Sequence, residues 1–173
     1  MESINRIETP LGEIIVRVPQ SGNFQINEIP LPTSLYNGMK LDQIIALLIT
    51  VVKPPDSREI VLSCTLNGNE NGSPEPGEHL ECVTWQDENW SLSVGTEDAE
   101  MLGLGLNNTS LSDNLDLVKC HPNGIVIQAP TKELNYPASL HFVLSYKRLP
   151  DDSHCATWFA VDVHHSELRK YLR

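Results

Sequence analysis

The sequence predicts an α+β fold: a mostly antiparallel β-sheet packed around or against one buried helix at about 39–53, with a short C-terminal helix. Three observations carry that prediction. Short alternations of apolar and polar residues recur along the chain and end at clusters of Gly, Pro, Asn and Asp. One longer stretch, 39–53, places Leu41, Ile44, Ile45, Leu48 and Val52 at helical spacing. No repeat or Pro/Gly-rich linker divides the 173 residues, so the whole chain, 1–173, reads as a single α+β domain.

Gly12 to Val18 reads as the first strand, closed by the turn residues Pro19-Gln20-Ser21-Gly22. Asn23 to Ile29 alternates Phe24 and Ile26 with polar neighbours and makes a second. Pro30 and Pro32 then interrupt regular pairing, because proline has no N–H to give a ladder. In the 39–53 segment Asp42 and Lys53 stand near opposite helix ends, each favourable with the dipole, and Pro54-Pro55 stops the element. Leu47, Ile49 and Val51 widen the apolar arc, so this helix needs cover on most sides. Its many β-branched residues make a buried strand the rival reading.

Arg58 to Leu66 and His79 to Gln86 are predicted strands, joined at about 67–77 by a polar surface loop read as mobile. Asp87-Glu88-Asn89 turns tightly into a strand at Trp90 to Val94. Thr96 is placed to cap a helical turn that has Glu97 and Asp98 at its N-terminus. Gly103-Leu104-Gly105 is too short for a dinucleotide fingerprint and reads as flexible backbone. Leu115 to Cys120 and Ile125 to Ala129 flank a turn at His121-Pro122-Asn123-Gly124. Leu140, Phe142, Leu144 and Tyr146 alternate along another strand, and Ala156 to Val163 is predicted to return beside it after Pro150-Asp151-Asp152-Ser153. Ser166 to Arg173 is the terminal helix, with Leu168 and Leu172 as its apolar contacts.

Hydrophobic residues make up 40% of the chain and charged residues 20%, which excludes disordered, collagen-like and coiled-coil classes. The formal charge of −11 argues against direct nucleic-acid binding and against an anionic membrane surface. That charge is segregated: the interval 59–118 holds twelve acids and no Lys or Arg, while the two flanks nearly cancel. Such a stretch keeps a surface solvated or steers a basic partner, and it has no EF-hand spacing. The first residues, Met1 to Glu8, show no signal pattern, and the apolar run Leu41 to Val52 is shorter than the about 20 residues of a membrane span. A cytoplasmic location follows as the expectation, with Cys64, Cys82, Cys120 and Cys155 as thiols. The sequons Asn89-Trp90-Ser91 and Asn108-Thr109-Ser110 then carry no meaning.

The chain contains no G-x-S-x-G elbow, Walker loop, H-E-x-x-H or C-x-x-C pair, so no cofactor is predicted. No metal is predicted either: its Cys and His residues lack zinc-ligand spacing, and Cys120 meets Cys155 only if their strands are neighbours. The local catalytic candidates are Asp162 and His164. On a strand they share a face with Trp158, where a carboxylate orients an imidazole and an aromatic ring floors a pocket. The bland alternative is a strand end emerging into water.

The leading functional expectation is a protein-binding module that uses the acidic surface of 59–118 to engage a basic protein surface, as an inhibitor or assembly factor. Its binding residues are Glu75, Glu78, Trp85, Asp87, Glu88 and Trp90, with an exposed Trp as anchor. Two alternatives stand beside it. One is a small enzyme or ligand-binding protein with a pocket near Trp158, Asp162 and His164. The other is a structural subunit of a larger assembly, which requires an exposed apolar patch or sheet edge. Oligomeric state is left open.

Overall fold

The computed structural model describes residues 2–19, 23–106, 117–150 and 155–172. In chain order its strands are β1 (Glu2–Thr9), β2 (Gly12–Pro19), β3 (Phe24–Pro30), β4 (Gln43–Val51), β5 (Glu59–Leu66) and β6 (Ser73–Pro74). There follow β7 (Leu80–Gln86), β8 (Trp90–Glu97), the helix α1 (Ala99–Gly105), β9 (Val118–His121), β10 (Gly124–Pro130) and β11 (Ala138–Arg148). Two short helices, α2 (Ala156–Val161) and α3 (His165–Leu168), run into a 3-10 turn at Arg169–Leu172. All strand pairings are antiparallel, in a five-stranded sheet ordered β1-β2-β5-β10-β9 and a six-stranded sheet ordered β3-β4-β11-β8-β7-β6.

The two sheets pack face to face. Ile14, Val16, Leu62 and Cys64 of the first sheet share one core with Leu47, Ile49, Trp85, Val94 and Phe142 of the second. At one side of the sandwich Asn5 Nδ2 of β1 donates to Glu28 Oε1 of β3 at 2.8 Å. At the other, the Cys120 thiol of β9 donates to Glu81 Oε2 of β7 at 3.3 Å. The far face of the second sheet is also covered. Ile44, Ala46, Leu48, Cys82 and Val143 form a second cluster with Ala156, Ala160, Val161 and Leu168 of the C-terminal helices. Sheet, sheet and helical layer therefore stack in that order.

This layering corrects the helix expected at 39–53. Gln43–Val51 is the strand β4, between β3 and β11, and Leu47, Leu48 and Ile49 are all fully buried. Its even-numbered residues face the helical layer and its odd-numbered residues face the other sheet. With both faces buried there is no polar face to set a period, and helical spacing arises simply because nearly every position is apolar. The β-branched residues then decide for the strand.

The strand expected at 156–163 is also corrected, to the helix α2. It lies on β8, whose outward residues are small: Ser91, Ser93 and Gly95. A Cβ at Gly95 would sit 2.7 Å from Val161 Cγ2, so the close approach requires glycine there. Thr157 secures the contact: Ser93 Oγ donates to its hydroxyl at 2.9 Å, and Ser145 Oγ donates to its carbonyl at 2.7 Å. An N-terminal strand, β1, precedes the expected first one; only Ile7 of its hydrophobic residues is buried, so its periodicity is faint. Asp98 rather than Thr96 caps α1, its Oδ1 accepting from Met101 N at 2.9 Å. Gly103-Leu104-Gly105 belongs to that helix instead of a flexible stretch. Asp113, Asp116, the second sequon, and the turn at 151–154 with His154 lie outside the described residues.

Candidate functional site

The C-terminal layer brings Trp158 to the start of β7. Its indole Nε1 donates to the Glu75 carbonyl at 2.8 Å, and a Cβ at Gly77 would come within 2.6 Å of Trp158 Cζ2. The ring therefore packs on Gly77 where a side chain would have no room. Phe159 packs against it edge-on, with centroids 5.1 Å apart and planes at 88°, and remains 39% exposed. Acidic residues adjoin the pair in the chain: Glu75 meets Trp158 through its carbonyl, Glu78 follows Gly77, and Asp162 ends the helix that carries both rings. The Glu75 and Asp162 carboxylates both act on the Cys82 thiol beneath, which burial first of all pushes up to about 12. Glu78 projects into solvent with Oε1 4.0 Å from His79 Nε2, and the other ring nitrogen of His79 lies 3.6 Å from Asp98 Oδ2. Glu75 of the expected acidic set thereby meets Trp158 and, across Cys82, Asp162 of the separate pocket reading. Helix α2 makes the connection.

The rest of the expected binding set lies elsewhere. Trp85 is 1% exposed, packed in the inter-sheet core with its Nε1 donating to the Pro122 carbonyl at 3.1 Å, and so it offers no anchor to a partner. Asp87 and Glu88 occupy the β7–β8 turn, where Asp87 Oδ1 accepts from the N–H groups of Asn89 and Trp90, each at 2.7 Å. That turn is at the opposite end of β7 from Glu78, on the order of 20 Å away at about 3.4 Å per residue. Trp90 is half-buried, edge-on to Tyr146, with the Arg148 guanidinium 5.7 Å from its ring centre. The six expected binding residues therefore do not form one surface: Glu75 and Glu78 lie before β7, Asp87, Glu88 and Trp90 after it, and Trp85 in the core.

A second cluster lies where β8 and β11 meet α3. His141, fully buried on β11, and His165, 5% exposed, have Nδ1 atoms 3.1 Å apart, ring centres 5.3 Å apart and planes inclined by 19°. Because the centres are so much farther apart than the nitrogens, the rings meet edge to edge, as in an N–H···N bond, and are not stacked. One Nδ1 donates and the other accepts. The two Nε2 atoms are buried and lack a well-aligned partner among the described residues, one an acceptor and one an N–H donor, while the Val163 backbone lies close enough to His141 to favour its charged form against burial. Burial holds His141 at about 3, helped by the neighbouring His165, and holds His165 at about 4, helped by Arg169. Both are neutral at pH 7.

Glu97 completes this cluster. It is 5% exposed; its Oε1 accepts the backbone N–H of His165 at 2.8 Å and lies 3.7 Å from Nδ1 of the half-exposed His164. Burial raises its pKa, against the pull of the His165 N–H and of His164. The carboxylate beside His164 is therefore Glu97 and not Asp162, because on a helix the expected strand alternation no longer applies. Asp162, at the end of α2, is exposed. The groove beside Val163, about 290 Å³, is lined by Leu31, Leu35, Ile44 and Leu168 and includes neither Asp162 nor His164. Sequence reasoning missed Glu97 as a partner; the signal was its place in the outward series Ser91, Ser93, Gly95, Glu97.

Cys64, Cys82, Cys120 and Cys155 are all free thiols. Burial pushes the Cys64 and Cys120 thiols up, and Glu81 adds to the effect at Cys120. Cys155 precedes α2 on the helical layer, so it does not share a strand pairing with Cys120. Among the described residues, no three or more His, Cys, Asp or Glu are grouped to hold a metal ion. No described helix is long and apolar enough to cross a membrane. Compared with protein-family models, curated proteins and solved structures, the chain matches none.

Proposed function

We propose that this protein is a binding module that engages a basic protein segment through the surface around Trp158 and Phe159. The observation that carries this reading is the seat of Trp158 on Gly77 and the Glu75 carbonyl, in a stretch whose exposed acids are Glu75, Glu78 and Asp162. Fixed aromatic faces give a partner's apolar and guanidinium surfaces something to rest on, at little entropic cost. The carboxylates supply steering and exclude acidic competitors. This narrows the acidic surface of 59–118 to its Glu75–Glu78 end and adds Asp162 and the two aromatics, while Trp85, Asp87, Glu88 and Trp90 drop out of the contact.

Titrating the ¹⁵N-labelled protein with a ten-residue Arg- and Lys-rich peptide tests the reading. The Trp158 indole and the amides of 75–79 should shift, more weakly as salt rises. The triple variant Glu75→Lys, Glu78→Lys, Asp162→Lys should weaken binding by about tenfold or more, the equivalent of about 1.4 kcal/mol. Shifts centred on another surface, or an affinity the triple variant leaves unchanged, would overturn it.

One observation favours a second reading: the buried Glu97 carboxylate beside half-exposed His164 has the form of an oriented imidazole base. Under that reading His164→Ala abolishes turnover or ligand binding while the fold persists; retention of both removes it.

A further inference from the structure

The outer face of the first sheet carries a feature that the binding-module reading does not use. Two depressions, of about 440 and 490 Å³, lie side by side beneath the loop that joins β5 to β6. They share Thr65, Glu70 and Asn123, so they form one continuous trough. Its walls are held in place by backbone. Asn67 N donates to the Glu13 carbonyl at 2.9 Å, Leu66 N to that of Asn123 at 2.9 Å, and Gly72 N to that of Pro122 at 2.8 Å. Gly72 permits the last contact, since a Cβ there would fall 2.5 Å from the Pro122 oxygen. The trough is therefore built before any ligand arrives.

Most of the side chains along it are polar and largely uncommitted. Ser63, Asn67, Glu70, Asn71, His121 and Asn123 border the trough, and their side chains make no hydrogen bonds within the protein among the described residues. Arg17 borders it too and donates from Nη1 to Thr65 Oγ1 at 3.3 Å. The formal charges of Arg17 and Glu70 balance, which selects neither an anion nor a cation. Each planar amide presents a donor and an acceptor side by side, the pattern that two adjacent hydroxyl groups on a ring complement. Pro122 and Val126 add a narrow apolar strip that suits the C–H face of such a ring.

We propose that this trough is a binding site for a neutral oligosaccharide. Each depression falls within the size range of about 300–1,000 Å³ for small-molecule sites. Their shared wall at Thr65, Glu70 and Asn123 accommodates neighbouring sugars of one chain. The exposed acidic–aromatic surface at Trp158 is formed by other elements, so the two sites fail or succeed separately.

The test follows the Asn side-chain amides of the ¹⁵N-labelled full chain by NMR during titration with lactose, maltose, cellobiose and N,N′-diacetylchitobiose, and separately with inorganic phosphate. At least one disaccharide should shift the amides of Asn67, Asn71 and Asn123 saturably, and phosphate should not. Asn67→Ala and Asn123→Ala should each weaken that disaccharide by about tenfold, as expected for loss of a well-placed hydrogen bond. Asn67 is exposed, so its truncation leaves the core intact, and the backbone spectrum of each variant verifies the fold. The proposal is overturned if no disaccharide shifts these amides, if only phosphate does, or if both variants bind as the parent does.

Discussion

The pair of buried imidazoles makes stability depend on pH through two identifiable residues. His141 and His165 titrate at about 3 and about 4 in the folded protein, against 6.5 when unfolded. Between those limits the unfolded chain binds the additional protons, so their contribution is fully present above about 6.5 and is lost as pH falls toward 3. Each histidine adds a slope of up to about 1.4 kcal/mol per pH unit inside its window. Glu97 works in the other direction: its pKa is raised, so its contribution falls as pH rises through the folded value. Arg169 also faces the cluster, and its positive charge adds to the cost of protonating His165. Urea midpoints measured at pH 7 and pH 5 should therefore show marked acid destabilisation. The double variant His141→Leu, His165→Leu should flatten the dependence; an unchanged slope would show that other groups set it.

At the scale of elements, α2 is held by what β8 lacks as much as by what it presents. Gly95→Ala would drive a methyl group into Val161 and Leu80, at 2.7 and 3.1 Å. We expect a loss of about 1–3 kcal/mol, the usual cost of overpacking, read as a lower urea midpoint at unchanged slope. The strand β4 should be more sensitive still: Leu47→Ala, fully buried between the sheets, should cost about 2–5 kcal/mol. These elements also show what was legible. The strands near 12–18, 58–66, 79–86 and 140–146 were readable because turn residues bound them and one or both faces alternate. Neither β4 nor α2 was. In β4 burial on both faces erased the period. In α2, six residues long, Trp158 and Phe159 resemble a strand's aromatic content, and only Gly95 and Ser93 across the interface show that a helix rests there.

At the scale of the molecule, the C-terminal layer covers the outer face of the second sheet and also supplies Trp158, Asp162, His164 and His165 to the candidate surfaces. Deleting residues 155–173 should therefore bare Ile44, Ala46, Leu48 and Val143 and cause aggregation or strong binding of a hydrophobic dye. A soluble, dye-silent truncation would show that this layer is dispensable. The −11 charge belongs to the same scale. In the sequence it is one basic-free interval. In space its described acids are spread over β5, β7, β8, α1 and the loops between them, and the Glu75–Glu78 end of β7 gains aromatic neighbours and a further acid from the C-terminal layer.

The order of residues by itself determined the antiparallel, strand-rich class, the turns that separate its strands, the segregation of acids and the want of any catalytic motif. Those properties are local: alternation, turn chemistry and charge are set by neighbours a few residues apart. Tertiary structure alone decided that 43–51 is a strand and 156–161 a helix, that Glu97 rather than Asp162 attends His164, and that Trp85 is core while Trp158 borders an acidic surface. Each of these depends on which layer covers which face, and residues distant in the sequence supply that cover. No local pattern can encode it.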